Sequence, residues 1–150
     1  MTVITKTIVI HESLFIAAPP ERVWRIFRDV DRWPAWCPTI RKAHLQSGDL
    51  AHAGAKFQFT VKPWHFSLQA NATVLDAKPP ERVVWGVHKS GAYAQHTFTF
   101  EVQAGGTLAR SYEVFSGPML WALPLAMPQR SVRRMFQAWL GALKAEAERQ

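Results

Sequence analysis

Cysteine is nearly absent: Cys37 stands alone in 150 residues, which excludes an internal disulfide and suits a reducing, cytoplasmic setting. Its surroundings, "AWCPTI", supply no histidine or other base, so Cys37 reads as a packed thiol rather than a nucleophile. Long apolar runs are missing too. The opening "MTVITKTIVIHESLF" is broken by polar groups every few residues, and nothing approaches the ~18 apolar residues of a membrane-spanning helix. The greasiest stretch is "GPMLWALPLAMP", residues 117–128, which has no charge but contains Pro118, Pro124 and Pro128. Pro124 would remove a helix hydrogen bond, so a membrane anchor gives way to a core connector or a lid. Neither a signal peptide nor a membrane span is expected.

Signatures of several chemistries are also missing. His11, His44, His52 and His65 lack metal-like spacing, and there is no nucleophile elbow, phosphate loop or paired acidic motif. No metal and no cofactor are therefore expected. The formal charge of +7 raises nucleic acid as a partner, but no basic region with heptads and no RNA-binding aromatic motif accompanies it. The cations gather in Arg22, Arg25, Arg28, Arg32, Arg41 and Lys42 and again in Arg130, Arg133 and Arg134, mostly opposite the apolar helical positions. A solvated face is expected from that placement, and no nucleic acid partner.

What the chain does have is apolar side chains, at 48% of its residues, enough for one domain spanning 1–150 with a substantial core. The string Pro-Pro-Glu-Arg-Val occurs twice with different sequels. After residues 19–23 the apolar positions Val23, Trp24, Ile26 and Phe27 recur at helical spacing, with proline and glutamate as openers. After 79–83, Val83, Trp85 and Val87 alternate, the mark of a strand behind a Pro-Pro turn. "DVDRWPAWCP" predicts a cap and a short second helix or turn. Strand-like runs follow near 40–46, 55–62, 65–76, 82–89, 93–103 and 107–116, and an opening strand near 3–16 completes seven. Val132, Met135, Phe136, Trp139, Leu140 and Leu143 form a broad stripe on a C-terminal helix, which needs a sheet to cover it.

Turn residues set trial registers. A Pro63-Trp64 turn pairs Phe59 with Leu68 and Phe57 with Ala70, and Pro79-Pro80 pairs Val74 with Trp85. Ser90-Gly91 sets Trp85 opposite His96, and Gly105-Gly106 sets Phe98 opposite Glu113 and His96 opposite Phe115. Together these put Phe57, Phe59, Val61, Phe66, Leu68, Val74, Val83, Trp85, Phe98 and Phe115 on one inward face, with His96 and Glu113 as its polar interruptions. A buried carboxylate costs several kcal/mol unless paired, so Glu113 requires a partner or water. Two readings stay open. His96, Glu113 and the Trp85 indole N–H line a cavity as orienting or acid-base groups, or they form a satisfied structural network under the helix.

The stretches "FIAAPPERVWRIFRDVDRWPAWCPTI", "PPERVVWGV", "QHTFTFEVQAGGTLARSYEVFSG" and "FQAWLGALKAEAE" resemble, in order, the polyketide cyclase/dehydrase branch of the START-like (SRPBCC, Bet v 1-type) superfamily. The resemblance implies an α+β helix-grip fold: a curved seven-stranded antiparallel sheet around a long C-terminal helix, with two short helices after the first strand. It also implies a hydrophobic cavity for a lipid, sterol, polyketide or aromatic ligand, with His96 and Glu113 where members often carry a His and a Glu. The mechanism does not transfer, because members include cyclases, carriers and receptors. The expected ligand-binding set is Phe57, Phe59, Leu68, Trp85, His96, Phe98, Glu113, Phe115, Trp121, Phe136 and Leu140, with His96 and Glu113 as catalytic candidates. Binding of a small hydrophobic or aromatic molecule is the leading expectation, by a monomer or homodimer. A cyclase or dehydratase with His96 as acid or base, and an interaction protein docking through its basic faces and the 117–128 loop, are the alternatives.

Overall fold

The computed structural model describes residues 7–63, 65–89, 91–118 and 128–149. Strand β1, Ile8–Ile16, leads into helix α1, Pro20–Arg28, then a single 3-10 turn at Val30–Arg32 and the short helix α2, Trp33–Trp36. Six strands follow: β2 Ile40–Ser47, β3 Lys56–Val61, β4 Leu68–Lys78, β5 Arg82–Lys89, β6 Ala92–Gln103 and β7 Gly106–Ser116. Helix α3, Gln129–Ala147, closes the order. The strands make one antiparallel sheet in the order β1-β7-β6-β5-β4-β3-β2, so that β1 and β7, far apart in sequence, pair across the chain. This is the helix-grip architecture, with α3 lying on the concave face and α1 and α2 covering one end.

The helices form where their sequences dictate. Pro20 occupies the first turn of α1, where its missing N–H costs nothing, and Glu21 faces the positive end of the helix dipole. Val23, Trp24 and Phe27 are buried from α1, and Val132, Phe136, Trp139, Leu140 and Leu143 from α3. Phe27 stands at the centre, with no exposed surface and ring contacts to Trp24, Trp33, Trp85, Phe98, Phe100 and Trp139. Trp33 is wholly buried because its indole N–H finds an acceptor, the Phe27 carbonyl, at 2.7 Å. Cys37 is buried as a packed thiol.

Two trial registers hold and two shift. Val74 opposes Trp85, and Trp85 opposes His96, as their turns require. Between β3 and β4, however, Val61 meets Leu68 and Phe59 meets Ala70, because the connection runs from 62 to 67 rather than through a two-residue turn. Pro63 has no N–H with which to extend the ladder. Between β6 and β7 the turn is Ala104-Gly105, so His96 opposes Glu113 and Phe98 opposes Ser111. Gly105 takes the left-handed conformation, φ +85°, whereas Gly106 serves close packing: a Cβ there would lie 2.1 Å from the Ile16 carbonyl oxygen. Both shifts are by two residues, which preserves the faces although the partners change.

Candidate functional site

Beneath the outer half of α3 the sheet leaves a cavity of about 440 Å³. Its sheet wall comes from β3 to β7 and its helix wall from Val132, Met135, Phe136 and Trp139. The curvature of the sheet keeps α3 away from the strands here, while the aromatic cluster around Phe27 fills the space at the other end.

Of the expected residues, Phe59, Leu68, Trp85, His96, Glu113, Phe115 and Phe136 border this cavity. Phe57, Phe98 and Leu140 do not: each points inward as expected but is buried in the aromatic core, where the Phe98 ring lies 4.6 Å from that of Phe27 and Phe57 lies 5.1 Å from Trp85. Alternation identifies the inner face of a strand but not how far along it the packing ends. Trp121, with most of the 117–128 stretch read as a connector or lid, lies outside the described residues. Val61, Met135 and Trp139 line the cavity without having been singled out for it; Met135 and Trp139 sat on the helical stripe and Val61 on the inward face, so their pattern was visible although their role was not.

A polar cluster interrupts the mainly apolar wall, which Lys89 and Tyr93 also help to line. His96 Nδ1 lies 2.7 Å from Glu113 Oε2, and His96 Nε2 lies 2.7 Å from Ser111 Oγ. The β6–β7 register makes this trio: His96 is directly opposite Glu113, and Ser111, two residues earlier on β7, shares the inward face. Ser111 and His96 are buried, while the Glu113 side chain keeps 11% exposure at the cavity wall. The Nδ1–H donates to the carboxylate, and Nε2 exchanges a hydrogen bond with the serine hydroxyl. Both ring nitrogens are thus engaged within the protein. Glu113 Oε1, by contrast, accepts no hydrogen bond among the described residues. Ser111 escaped the sequence reading because the trial register set Phe98 opposite Glu113, which placed His96 away from both its partners.

The His96 ring is clamped between apolar neighbours, 4.3 Å from the Phe98 ring and 4.9 Å from that of Phe136. Trp85, 5.2 Å from His96, completes the enclosure. The indole N–H of Trp139 is buried with no acceptor among the described residues. No group of three or more His, Cys, Asp or Glu is arranged to hold a metal among the described residues. Nor is any described helix long and apolar enough to cross a membrane.

Solved structures share this fold at low sequence identity. The di-domain ARO/CYC BexL superposes with a TM-score of 0.76 at 17% identity, covering 96% of this chain and 51% of BexL, so the chain spans about half the length of that protein. KanY gives 0.78 at 16% identity, covering 96% of this chain and 99% of that one. A START superfamily protein from Mycobacterium smegmatis gives 0.74 at 13%, covering 93% and 97%. No curated protein sequence matches. The sequence model of one family, polyketide cyclase/dehydrase and lipid transport, matches residues 7–148, and the chain belongs to that family.

Proposed function

We propose that the cavity binds a small hydrophobic or aromatic molecule bearing a hydrogen-bond donor, which Glu113 orients. The observation that carries this reading is a carboxylate oxygen at the wall of a mainly apolar cavity, left without a donor among the described residues. At about 440 Å³ the space has the size of ordinary small-molecule sites, ~300–1,000 Å³. A carboxylate in such surroundings gains most from an O–H or N–H that a ligand brings, a charge-assisted bond of about 1.5–3 kcal/mol. His96, which also borders the cavity, is then a positioning residue that holds Glu113.

The test is native mass spectrometry of the purified protein together with titration of hydroxylated aromatic ligands, followed through Trp85 and Trp139 fluorescence. Ala70→Trp fills the cavity and abolishes binding while the protein still folds. Glu113→Gln weakens a hydroxylated ligand about 10- to 100-fold but leaves its deoxy analogue nearly unchanged. A protein that retains no small molecule and binds no aromatic probe overturns the reading.

A second reading rests on the same trio. Glu113, backed by His96 and Ser111, is placed as the base of a cyclase or dehydratase: its Oε1 would take a proton from a carbon next to a carbonyl, and the electron pair would move onto the carbonyl oxygen. The measurement is turnover of a linear polyketide mimic. Activity lost in Glu113→Gln with binding retained supports this chemistry, whereas binding without turnover leaves the carrier function alone.

A further inference from the structure

The two ends of the sheet differ in charge. Among the described residues, the cavity lining reaches the end of the sheet formed by the close of β3, the start of β4, the close of β5, the start of β6 and the first turns of α3, with Pro63, Phe66, Lys89 and Ala92 at its rim. Lys62, Lys89, Arg130 and Arg134 are exposed there, and Arg41 and Lys42 begin β2 at the same end, where Ile40 pairs with Val61. Three acidic residues belong to this half by strand register, and each is engaged: Glu12 accepts from Arg133 at 2.9 Å, Glu113 is buried against His96, and Asp31 lies 2.8 Å from His44, which pairs with Gln58. The other carboxylates of the chain lie elsewhere. Glu21, Asp49, Asp76, Glu81, Glu101, Glu146 and Glu148 are at or near the far end, and Asp29 follows α1.

The rim also has apolar character. Phe66, between β3 and β4, borders the cavity yet is 39% exposed. Lys89 reaches across to the Gln69 carbonyl at 2.7 Å, which ties the β5–β6 hairpin to the start of β4 and holds the two tips side by side. An aromatic ring standing among uncompensated cations matches a surface that is anionic at its headgroups and apolar beneath them.

We infer that the cavity mouth docks on an anionic lipid surface, with Lys62, Lys89, Arg130 and Arg134 against the headgroups and Phe66 entering the interface. Docking there sets the apolar cavity against the membrane, so a hydrophobic molecule passes between bilayer and protein without crossing water. An acidic protein partner satisfies the charges but not the exposed ring, and the experiment separates the two.

The probe is sedimentation with vesicles of phosphatidylcholine alone or with about 30% phosphatidylserine, at ionic strengths of ~0.05 and ~0.5 M. The protein binds the anionic vesicles at low salt and leaves both the neutral vesicles and the high-salt sample. Each cation is worth about fivefold in affinity near such a surface, so K62E/K89E/R130E loses roughly 100-fold or more. Phe66→Ser loses binding to vesicles without altering retention on an anionic ion-exchange matrix. R22E/R25E on α1 is the control for charge alone and binds as the wild type does. Unchanged thermal unfolding establishes that the variants are folded. Absence of binding to anionic vesicles at low salt, equal loss in the α1 control, or no effect of Phe66→Ser overturns the proposal; the last outcome points to an acidic protein instead. The vesicle result is independent of what the cavity holds, so it stands or falls separately from the ligand reading.

Discussion

Replacing His96 by alanine removes the central member of the Ser111–His96–Glu113 trio, and its cost follows from what each partner loses. The Ser111 hydroxyl is wholly buried and has its 2.7 Å bond to Nε2, so deletion leaves it unpaired at about 1–3 kcal/mol. Glu113 loses the donor at 2.7 Å; removing one partner of a dry buried pair costs about 3–5 kcal/mol. Because Glu113 borders the cavity, water entering the vacated space hydrates it and brings that contribution to the low end. The net expectation is about 4 kcal/mol, and for a chain of this length each kcal/mol lowers Tm by roughly 2–4 °C, giving a fall of about 8–16 °C. Glu113→Gln keeps an acceptor for the Nδ1–H and costs only about 1 kcal/mol. Once the carboxylate is gone the largest penalty of His96→Ala is gone too, so the double variant is less destabilised than the sum of the singles by about 2 kcal/mol. Equilibrium urea unfolding of the four proteins measures this coupling. Single effects that add within about 0.5 kcal/mol would refute the linked trio.

Three further outcomes follow from other parts of the molecule. Gly106→Ala drives a Cβ into the Ile16 carbonyl and unfolds the protein at lower urea, by at least about 2 kcal/mol, whereas Gly54→Ala, where a Cβ meets nothing, pays only for its positive φ. Asp49 is held below its usual carboxylate range, first by the Ala51 N–H and then by His52, so its contribution is present above about pH 4 and lost as pH falls through the lowered folded value. Asp49→Asn should therefore flatten the fall of Tm with pH in that acid range, and parallel wild-type and variant curves would count against it. Burial pushes the Cys37 thiol up despite its contact with Thr39; reaction with a thiol reagent at about pH 8 should proceed only as fast as the protein opens, and rapid labelling of the folded protein contradicts the packing.

Much of this molecule is legible in its sequence. The 3.6-residue stripe of α3 and the alternation of Val83, Trp85 and Val87 are local consequences of backbone geometry, and each lies on the face its period assigns. Even the two mistaken turns left the faces intact, since a slip of two residues returns every side chain to the same side. The partners were another matter. Gly105 and Gly106 look alike in sequence, and only the approach of the Ile16 carbonyl from β1 tells the turn glycine from the packing glycine.

The sequence by itself determined the elements, their inward faces and the presence of a polar pair among apolar residues, because these depend on chain-local periodicity and on the chemistry of each side chain. The tertiary structure alone decided that Phe57, Phe98 and Leu140 fill the core while Phe59, Val61 and Trp139 border a cavity, because that boundary depends on how closely α3 approaches a curved sheet. It also decided that Ser111 and Glu113 occupy both nitrogens of His96 and leave one carboxylate oxygen without a partner among the described residues, a result of register between strands that no local pattern encodes.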